Sequence, residues 1–111
     1  MSTSKQFPVK CQQVLADHMR PNLFKALCDP VRISIVSTLA AQVEAQTVGG
    51  LTECCGIDFS GVSRHLKILK EAGVVNAVKN GREMLYSLKT EELAQTLHAM
   101  ADALMECREI A

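Results

Sequence analysis

Several absences from the 111-residue sequence limit what this protein can be. No apolar run approaches the roughly 20 residues that span a bilayer, and the first ten residues, MSTSKQFPVK, lack the apolar core of a secretory signal. No repeat, low-complexity tract or linker divides the chain. We therefore expect a single globular domain, residues 1–111, located in the cytoplasm and without membrane association.

The sequence also lacks the common motifs of enzymes. It contains no glycine-rich phosphate loop, no closed metal motif with an open position and no nucleophile elbow. We expect no catalytic residue and no required cofactor.

Five cysteines are many for this length, but their number is odd and their spacing irregular. In a reducing compartment such cysteines are packed thiols, soft-metal ligands or redox sensors more often than a disulfide framework. All three roles stay open at this point.

The net charge is zero, which by itself argues against nucleic acid, but the charges are unevenly distributed. Residues 60–82 carry five basic side chains against Glu71 alone, a local charge of +4. Residues 83–111 carry two basic and six acidic side chains, a local charge of −4, and residues 1–59 balance five against five. The positive charge is confined to one segment.

Helix signals cover the first half of the chain. Residues 9–19 predict a short helix that ends before Pro21, and residues 21–29 predict another. Asp29 is a good N-cap and Pro30 suits a first helical position, so a third helix begins there. Its apolar side chains recur at helical spacing and face a core: Val31, Ile35, Val36 and Leu39.

Residues 47–73 predict two helices joined by a short turn, a helix-turn-helix. The first helix runs from a Thr47 cap to Cys55, because Gly56 supplies a left-handed conformation at little cost. The second helix begins at one of two capping residues and ends before Gly73; these caps are Asp58 and Ser60. Its inner stripe is Val62, Leu66 and Leu69, and its outward residues are Arg64, Lys67, Lys70 and Glu71.

Residues 74–88 predict a β-hairpin. Asn80-Gly81 lies between two alternating runs and is the preferred pair for a type I′ turn, in which both central residues need positive φ. Lys79 and Arg82 place a basic residue on each side of the tip.

A last helix is predicted from a Thr90 cap to about Arg108. Its apolar residues follow a 4-3-4 spacing, which is typical of a coiled-coil seam and needs a partner helix: Leu93, Leu97, Met100 and Leu104.

A helix-turn-helix followed directly by a hairpin is a winged helix, so the predicted fold is mainly α with a small β-hairpin wing. The second helix of such a motif enters the major groove of DNA, and the wing tip reaches the adjacent backbone. An isolated basic helix is often only a solvated face. Here the helix-turn-helix, the wing and the confined positive charge together favour a salt-dependent interface with double-stranded DNA.

Three segments, LFKALCDPVRISIVSTL, GVSRHLKILKEAGVV and KNGREMLYSL, resemble the ArsR/SmtB family of bacterial winged-helix transcriptional repressors over about residues 20–105. The resemblance implies a homodimer formed by residues 1–20 and 90–111, bound to an inverted-repeat operator and released by an inducer, often a metal or metalloid ion. It also implies a set of DNA contacts: Ser60, Ser63, Arg64, His65 and Lys67 on the helix, with Lys79 and Arg82 on the wing.

The inducer site cannot be carried over directly, because family members with a cysteine site before the turn use Cys-x-Cys, whereas Cys54 and Cys55 are adjacent. Consecutive helical residues point about 100° apart, so both reach one ion only where the helix ends. Cys54 points outward, and Cys55 is either a core residue or a ligand. Soft thiolates select arsenite, antimonite, mercury, cadmium or copper(I), with Cys11 or Cys107 as a further ligand. Cys28 is expected to pack.

Two alternatives to a soft-ion inducer remain, and a third alternative replaces DNA binding. Oxidation or persulfidation of two cysteines would make the repressor redox-responsive. In the second alternative the cysteines only pack, and the protein is a winged-helix regulator with no metal site. A winged helix that binds protein instead of DNA is the third alternative.

Overall fold

The computed structural model describes residues 9–110, without the side chains of residues 9–12, 14 and 110. The elements are α1 (Val9–His18), α2 (Pro21–Leu27), α3 (Pro30–Ala41), α4 (Val48–Cys55), α5 (Phe59–Glu71), β1 (Val75–Asn80), β2 (Glu83–Leu88) and α6 (Thr90–Ile110). They form two compact units, of which one is Asn22–Thr90 and the other contains α1 and α6. The mainly helical architecture with one antiparallel hairpin confirms the predicted class of fold. None of the described helices is long and apolar enough to cross a membrane.

The start of α3 follows the predicted capping pattern. The Asp29 side chain accepts hydrogen bonds from the backbone N–H groups of Val31, at 2.8 Å, and Arg32, at 3.2 Å. Pro30 occupies the first turn, where its missing N–H leaves no helical hydrogen bond unmade. The Asp-Pro pair therefore fixes where α3 begins.

The helix-turn-helix also forms where the sequence predicts it. Thr47 Oγ1 accepts a hydrogen bond from the Gly50 N–H at 3.1 Å and caps α4. Gly56 ends α4 in the left-handed conformation, with φ 66°, and Gly73 follows α5 with φ 78°. Asp58 holds the N-cap position of α5 without a capping hydrogen bond from its side chain.

The core of the Asn22–Thr90 unit is built around α5. The inner stripe of α5, Val62, Leu66 and Leu69, is fully buried, as are Ile35 of α3 and Leu51 of α4. Apolar burial of this extent supplies the main force that holds α3, α4 and α5 together. The outward side of α5 is left to face solvent.

The hairpin forms, but its predicted turn is wrong by one residue. Asn80 pairs with Glu83 in the ladder, so the two loop residues are Gly81 and Arg82. Gly81 has φ 65°, and no non-glycine residue between 9 and 110 has a positive φ. A positive φ at only the first central position is the requirement of a type II′ turn, for which glycine is the usual residue.

One contact attaches the wing to the helix-turn-helix, and the local sequence pattern did not indicate it. Gln46, next to the Thr47 cap, and Tyr86 of β2 exchange two backbone hydrogen bonds of 2.8 Å. The wing therefore has a fixed position relative to the start of α4.

The packing role expected for Cys28 is wrong, because this side chain is exposed. Helix α2 ends at Leu27, and Cys28 lies in the bend before the Asp29 cap, where its N–H donates to the carbonyl of Lys25 at 3.3 Å. The bend turns the thiol outward instead of into the core.

Only part of the apolar seam predicted on α6 is buried in the structure. Met100 is buried, together with Ala103 and Cys107. Leu97 and Leu104 are about half exposed, and so is Met105. Helix α6 therefore has one apolar side that is covered within the chain and another that is not.

Candidate nucleic-acid interface

The outward side of α5 carries polar and basic side chains that are free to meet a ligand. Ser63, Arg64, Lys67 and Lys70 are all exposed, while the opposite side of the helix is buried. A polyanion docked here contacts cationic side chains without disturbing the core, because the two sides of the helix are separate.

The structure brings the start of α5 and the wing tip into one cleft of about 250 Å³. Ser63 of α5 and Arg82 of the wing turn both line this cleft, together with the first residues of α4. Lys79 is exposed beside the tip, on β1. Predicted contacts that are separate in sequence therefore share one surface.

Phe59 and Glu83 also line the same cleft, and neither was singled out from the sequence as a contact. Phe59 is 61% exposed and is the first residue of α5. Glu83 contributes a negative charge beside Arg82. An apolar ring at the first turn of α5 is able to pack against a sugar or a thymine methyl group of DNA. The charge pattern did not indicate this residue.

Ser60, a predicted contact, is exposed and donates a hydrogen bond from Oγ to the Asp58 carboxylate at 2.7 Å. This bond is the main reason that the pKa of Asp58 is lowered. Burial opposes the shift, while the polarity of the nearby backbone N–H groups of Gly61 and Asp58 and the charge of Arg64 support it. An ionised carboxylate at this position lies at the positive end of α5, where it is stabilised.

His65 differs from the other predicted contacts because it is half-buried and already bonded. Its Nδ1 lies 3.1 Å from the guanidinium of Arg32, at the start of α3. Burial alone would raise the pKa of Asp29, but backbone hydrogen bonds from Arg32 and Val31, with the charges of Arg32 and His65, bring it below 3.8. No local sequence pattern indicates the Arg32–His65 pair, because 33 residues separate its members.

The adjacent cysteines at the end of α4 have different surroundings. Cys54 is exposed, whereas Cys55 is half-buried. Burial raises the pKa of the Cys55 thiol, the neighbouring Cys54 raises it further, and a hydrogen bond with Ser34 opposes the rise. A soft ion that binds Cys55 must displace its proton, so binding there strengthens as the pH rises.

The other two predicted ligands, Cys11 and Cys107, belong to the unit that contains α1 and α6. The Cys11 side chain lies outside the described residues. Cys107 is buried on α6 and is disulfide-bonded, so it must be reduced before it can act as a thiolate ligand. Among the described residues, no three His, Cys, Asp or Glu side chains are grouped so as to hold a metal ion.

The protein is a winged helix-turn-helix protein. Helices α4 and α5 form the helix-turn-helix, and the hairpin that follows forms the wing, which is hydrogen-bonded to Gln46. A family model described as "Helix-turn-helix domain" matches residues 27–78, which contain this motif. The structure is similar to that of an ArsR-like transcriptional regulator from Rhodococcus sp. RHA1, with TM-score 0.70 and 27% identity, over 91% of this chain and 89% of that one.

The chain belongs to the ArsR/SmtB family of winged-helix transcriptional regulators. It is 42% identical over 87 residues to the HTH-type transcriptional repressor SmtB of Mycobacterium tuberculosis, across 78% of this chain and 61% of that repressor. It is 35% identical, with TM-score 0.57, to the cadmium metal-sensor CMTR of Mycobacterium tuberculosis, over 71% of this chain and 80% of that one. A transcriptional repressor among the relatives agrees with the class of protein that the sequence predicts.

Proposed function

We propose that this protein is a transcriptional repressor that binds an inverted-repeat operator in double-stranded DNA as a homodimer. The observation that carries this proposal is the common cleft of α5 and the wing, which joins Ser63 to Arg82. The predicted DNA contacts are Ser60, Ser63, Arg64, His65, Lys67, Lys79 and Arg82. The helix contacts supply base readout and phosphate binding in the major groove, and the two wing residues bind the adjacent backbone.

The homodimer is supported by the uncovered apolar residues of α6. Leu97, Leu104 and Met105 are each about half exposed, and an apolar surface of this kind on a helix is typical of a protein interface. The partner helix that the 4-3-4 spacing requires is then supplied by a second copy of the chain. An inverted repeat matches the two-fold symmetry of such a dimer.

The inducer that we propose is a soft metalloid or metal ion, such as arsenite, antimonite, mercury, cadmium or copper(I), bound by Cys54 and Cys55. Cys54 is exposed on a surface where no packing requires a thiol, at the end of the first helix of the helix-turn-helix. A soft ion needs two or three thiolates, and Cys11 or reduced Cys107 is the further ligand in this proposal. The cadmium sensor among the relatives supports a soft ion as the class of inducer.

The test measures the affinity of the protein for a fluorescent operator duplex at fixed salt, with a phosphine reductant, before and after each ion is added. We expect arsenite, cadmium or mercury to weaken binding of the native protein and to leave the double variant Cys54→Ser, Cys55→Ser bound. Cys28→Ser is the matched control, because Cys28 is another exposed thiol on the same unit and outside the pair. Equal release of the double variant and the control would exclude the cysteine pair as the inducer site.

A second candidate for the inducer is thiol oxidation, which one observation favours: Cys107 is disulfide-bonded. Two thiols that form this bond give two electrons and two protons to a peroxide, which becomes two molecules of water. Release of DNA by peroxide, reversed by reductant, unaffected by soft ions and lost in Cys107→Ser, would favour this candidate over the cysteine pair.

A further inference from the structure

The Arg32 side chain makes three hydrogen bonds and one ion pair. Its Nε donates to the Ala26 carbonyl at 2.6 Å, and Nη2 donates to the Lys25 carbonyl at 3.2 Å. Its Nη1 lies 3.1 Å from His65 Nδ1 and 3.9 Å from the Asp29 carboxylate. The side chain is only 12% exposed, so Arg32 joins the end of α2 and the start of α3 to the recognition helix α5.

The contact with Arg32 determines which ring nitrogen of His65 carries the proton. A guanidinium only donates hydrogen bonds, so Nδ1 of His65 must accept, and the ring proton of the neutral imidazole is on Nε2. No half-buried or buried side chain between 9 and 110 has an enclosed nitrogen or oxygen without a partner. Since Nε2 has no partner in the described chain, it is not fully enclosed and retains contact with solvent.

We propose that Arg32 is a positioning residue for DNA recognition, which holds His65 so that Nε2–H is a single hydrogen-bond donor to an acceptor on DNA. The acceptor is a phosphate oxygen or an acceptor on a base edge in the groove. Arg32 suits this role because two carbonyls anchor it, so the imidazole cannot turn over and exchange its nitrogens without losing the bond. The proposal rests on the DNA interface proposed above, to which it adds Arg32, a residue outside the predicted set of DNA contacts.

The first test needs no DNA, and its result is therefore independent of the proposed function. A long-range ¹H–¹⁵N NMR spectrum of the free protein at pH 8 reports which nitrogen of His65 is protonated. We expect the Nε2–H tautomer in the native protein and a mixture of both tautomers in Arg32→Met, a variant of similar length that cannot donate. A mixture in the native protein, or a protonated Nδ1, would overturn the proposal.

The second test separates the two nitrogens of His65 by substitution. Asparagine places an amide near the position of Nδ1, and glutamine places one near Nε2. His65→Asn keeps an acceptor for Arg32 and the thermal stability, but we expect it to lose about three- to tenfold in DNA affinity, the value of one hydrogen bond. His65→Gln keeps a donor toward DNA and loses the bond to Arg32. Full DNA affinity in His65→Asn would overturn the proposal.

The third test asks whether Arg32 acts through His65. Arg32→Met should lower DNA affinity in the native background and have no further effect in His65→Ala, whereas Arg82→Met on the wing should act equally in both backgrounds. Equal losses for Arg32→Met in both backgrounds would contradict a positioning role.

A loss of affinity in His65→Asn for every duplex identifies a phosphate acceptor, and a loss for the operator alone identifies a base edge. If the native protein binds no duplex, the proposed function fails while the tautomer result stands.

Discussion

Helices α5 and α6 are both amphipathic, but they differ in how far their apolar residues are buried. In α5 the inner stripe is fully buried, and most of the exposed side chains are polar or basic; Phe59 and Ile68 are the apolar exceptions. In α6 one apolar side is buried, while Leu97, Leu104 and Met105 stay about half exposed. The comparison shows that amphipathicity alone does not indicate function. What matters is the chemistry of the side left uncovered: charge on α5 suits a polyanion, and apolar surface on α6 suits another protein.

The largest difference between the two helices should appear in folding stability. Leu66→Ala in α5 removes a fully buried side chain and leaves a cavity, so it should lower the free energy of unfolding by roughly 2–5 kcal/mol. Leu97→Ala in α6 removes a side chain that is 45% exposed, and should cost under about 1 kcal/mol at protein concentrations too low for association. Urea unfolding of both variants measures these values. If Leu97→Ala lowered the free energy of unfolding as much as Leu66→Ala, the apolar residues of α6 would also be covered within one chain.

For association of two chains we expect the reverse order, with a larger effect of substitutions in α6 than in α5. Leu104→Glu introduces a charge into the uncovered apolar side of α6, and burial of an unpaired charge at an interface is unfavourable. We expect the dissociation constant of the dimer to rise about 10- to 100-fold, or about 1.4–2.7 kcal/mol. Sedimentation over a concentration series measures this constant. Gln95→Glu, which adds the same charge at another exposed position of α6, is the control and should leave association unchanged.

The charged side of α5 should act on DNA affinity and its salt dependence. Lys67→Ala removes one cation from the outward side, so it should lower the affinity several-fold and reduce the slope of log K against log salt by about one. Arg108→Ala, which removes a cation from α6, should leave the slope unchanged. Fluorescence anisotropy at several salt concentrations gives both slopes. Equal slopes for native protein and Lys67→Ala would place the DNA interface elsewhere.

Features of this fold that depend on neighbouring residues were predictable from the sequence. The Asp29 cap, the left-handed Gly56 and the buried stripe of α5 each depend on residues within a few positions of one another. The turn was misplaced by one residue because Asn80 can either enter a turn or extend a strand, and its pairing with Glu83 decides between them. Local preference does not include that pairing.

Features that join distant parts of the chain were not predictable. The bonds between Gln46 and Tyr86, and between Arg32 and His65, form only after several helices have packed. The candidate site divides in the same way. Its basic residues were evident from charge and helical spacing, but the half-buried position of His65 was not. The exposed Cys54 followed from spacing, whereas no local pattern indicated the state of Cys107.

The smallest expected effect concerns pH and the unit that contains α5. The pKa of Asp29 is lower in the folded chain than its ordinary value of 3.8, so the unfolded chain binds the proton more tightly. Its stabilising contribution is therefore complete above about pH 4 and disappears as the pH falls through the folded-state pKa. Asp29→Asn retains a capping oxygen but does not titrate. We expect the native protein to melt slightly above this variant at pH 7, and the difference to vanish toward pH 2.5. Asp102→Asn removes a carboxyl group from the exposed side of α6 and is the matched control. A difference for Asp29→Asn that stays constant across this range would show that the N-cap of α3 depends on shape and not on the charge of its carboxylate.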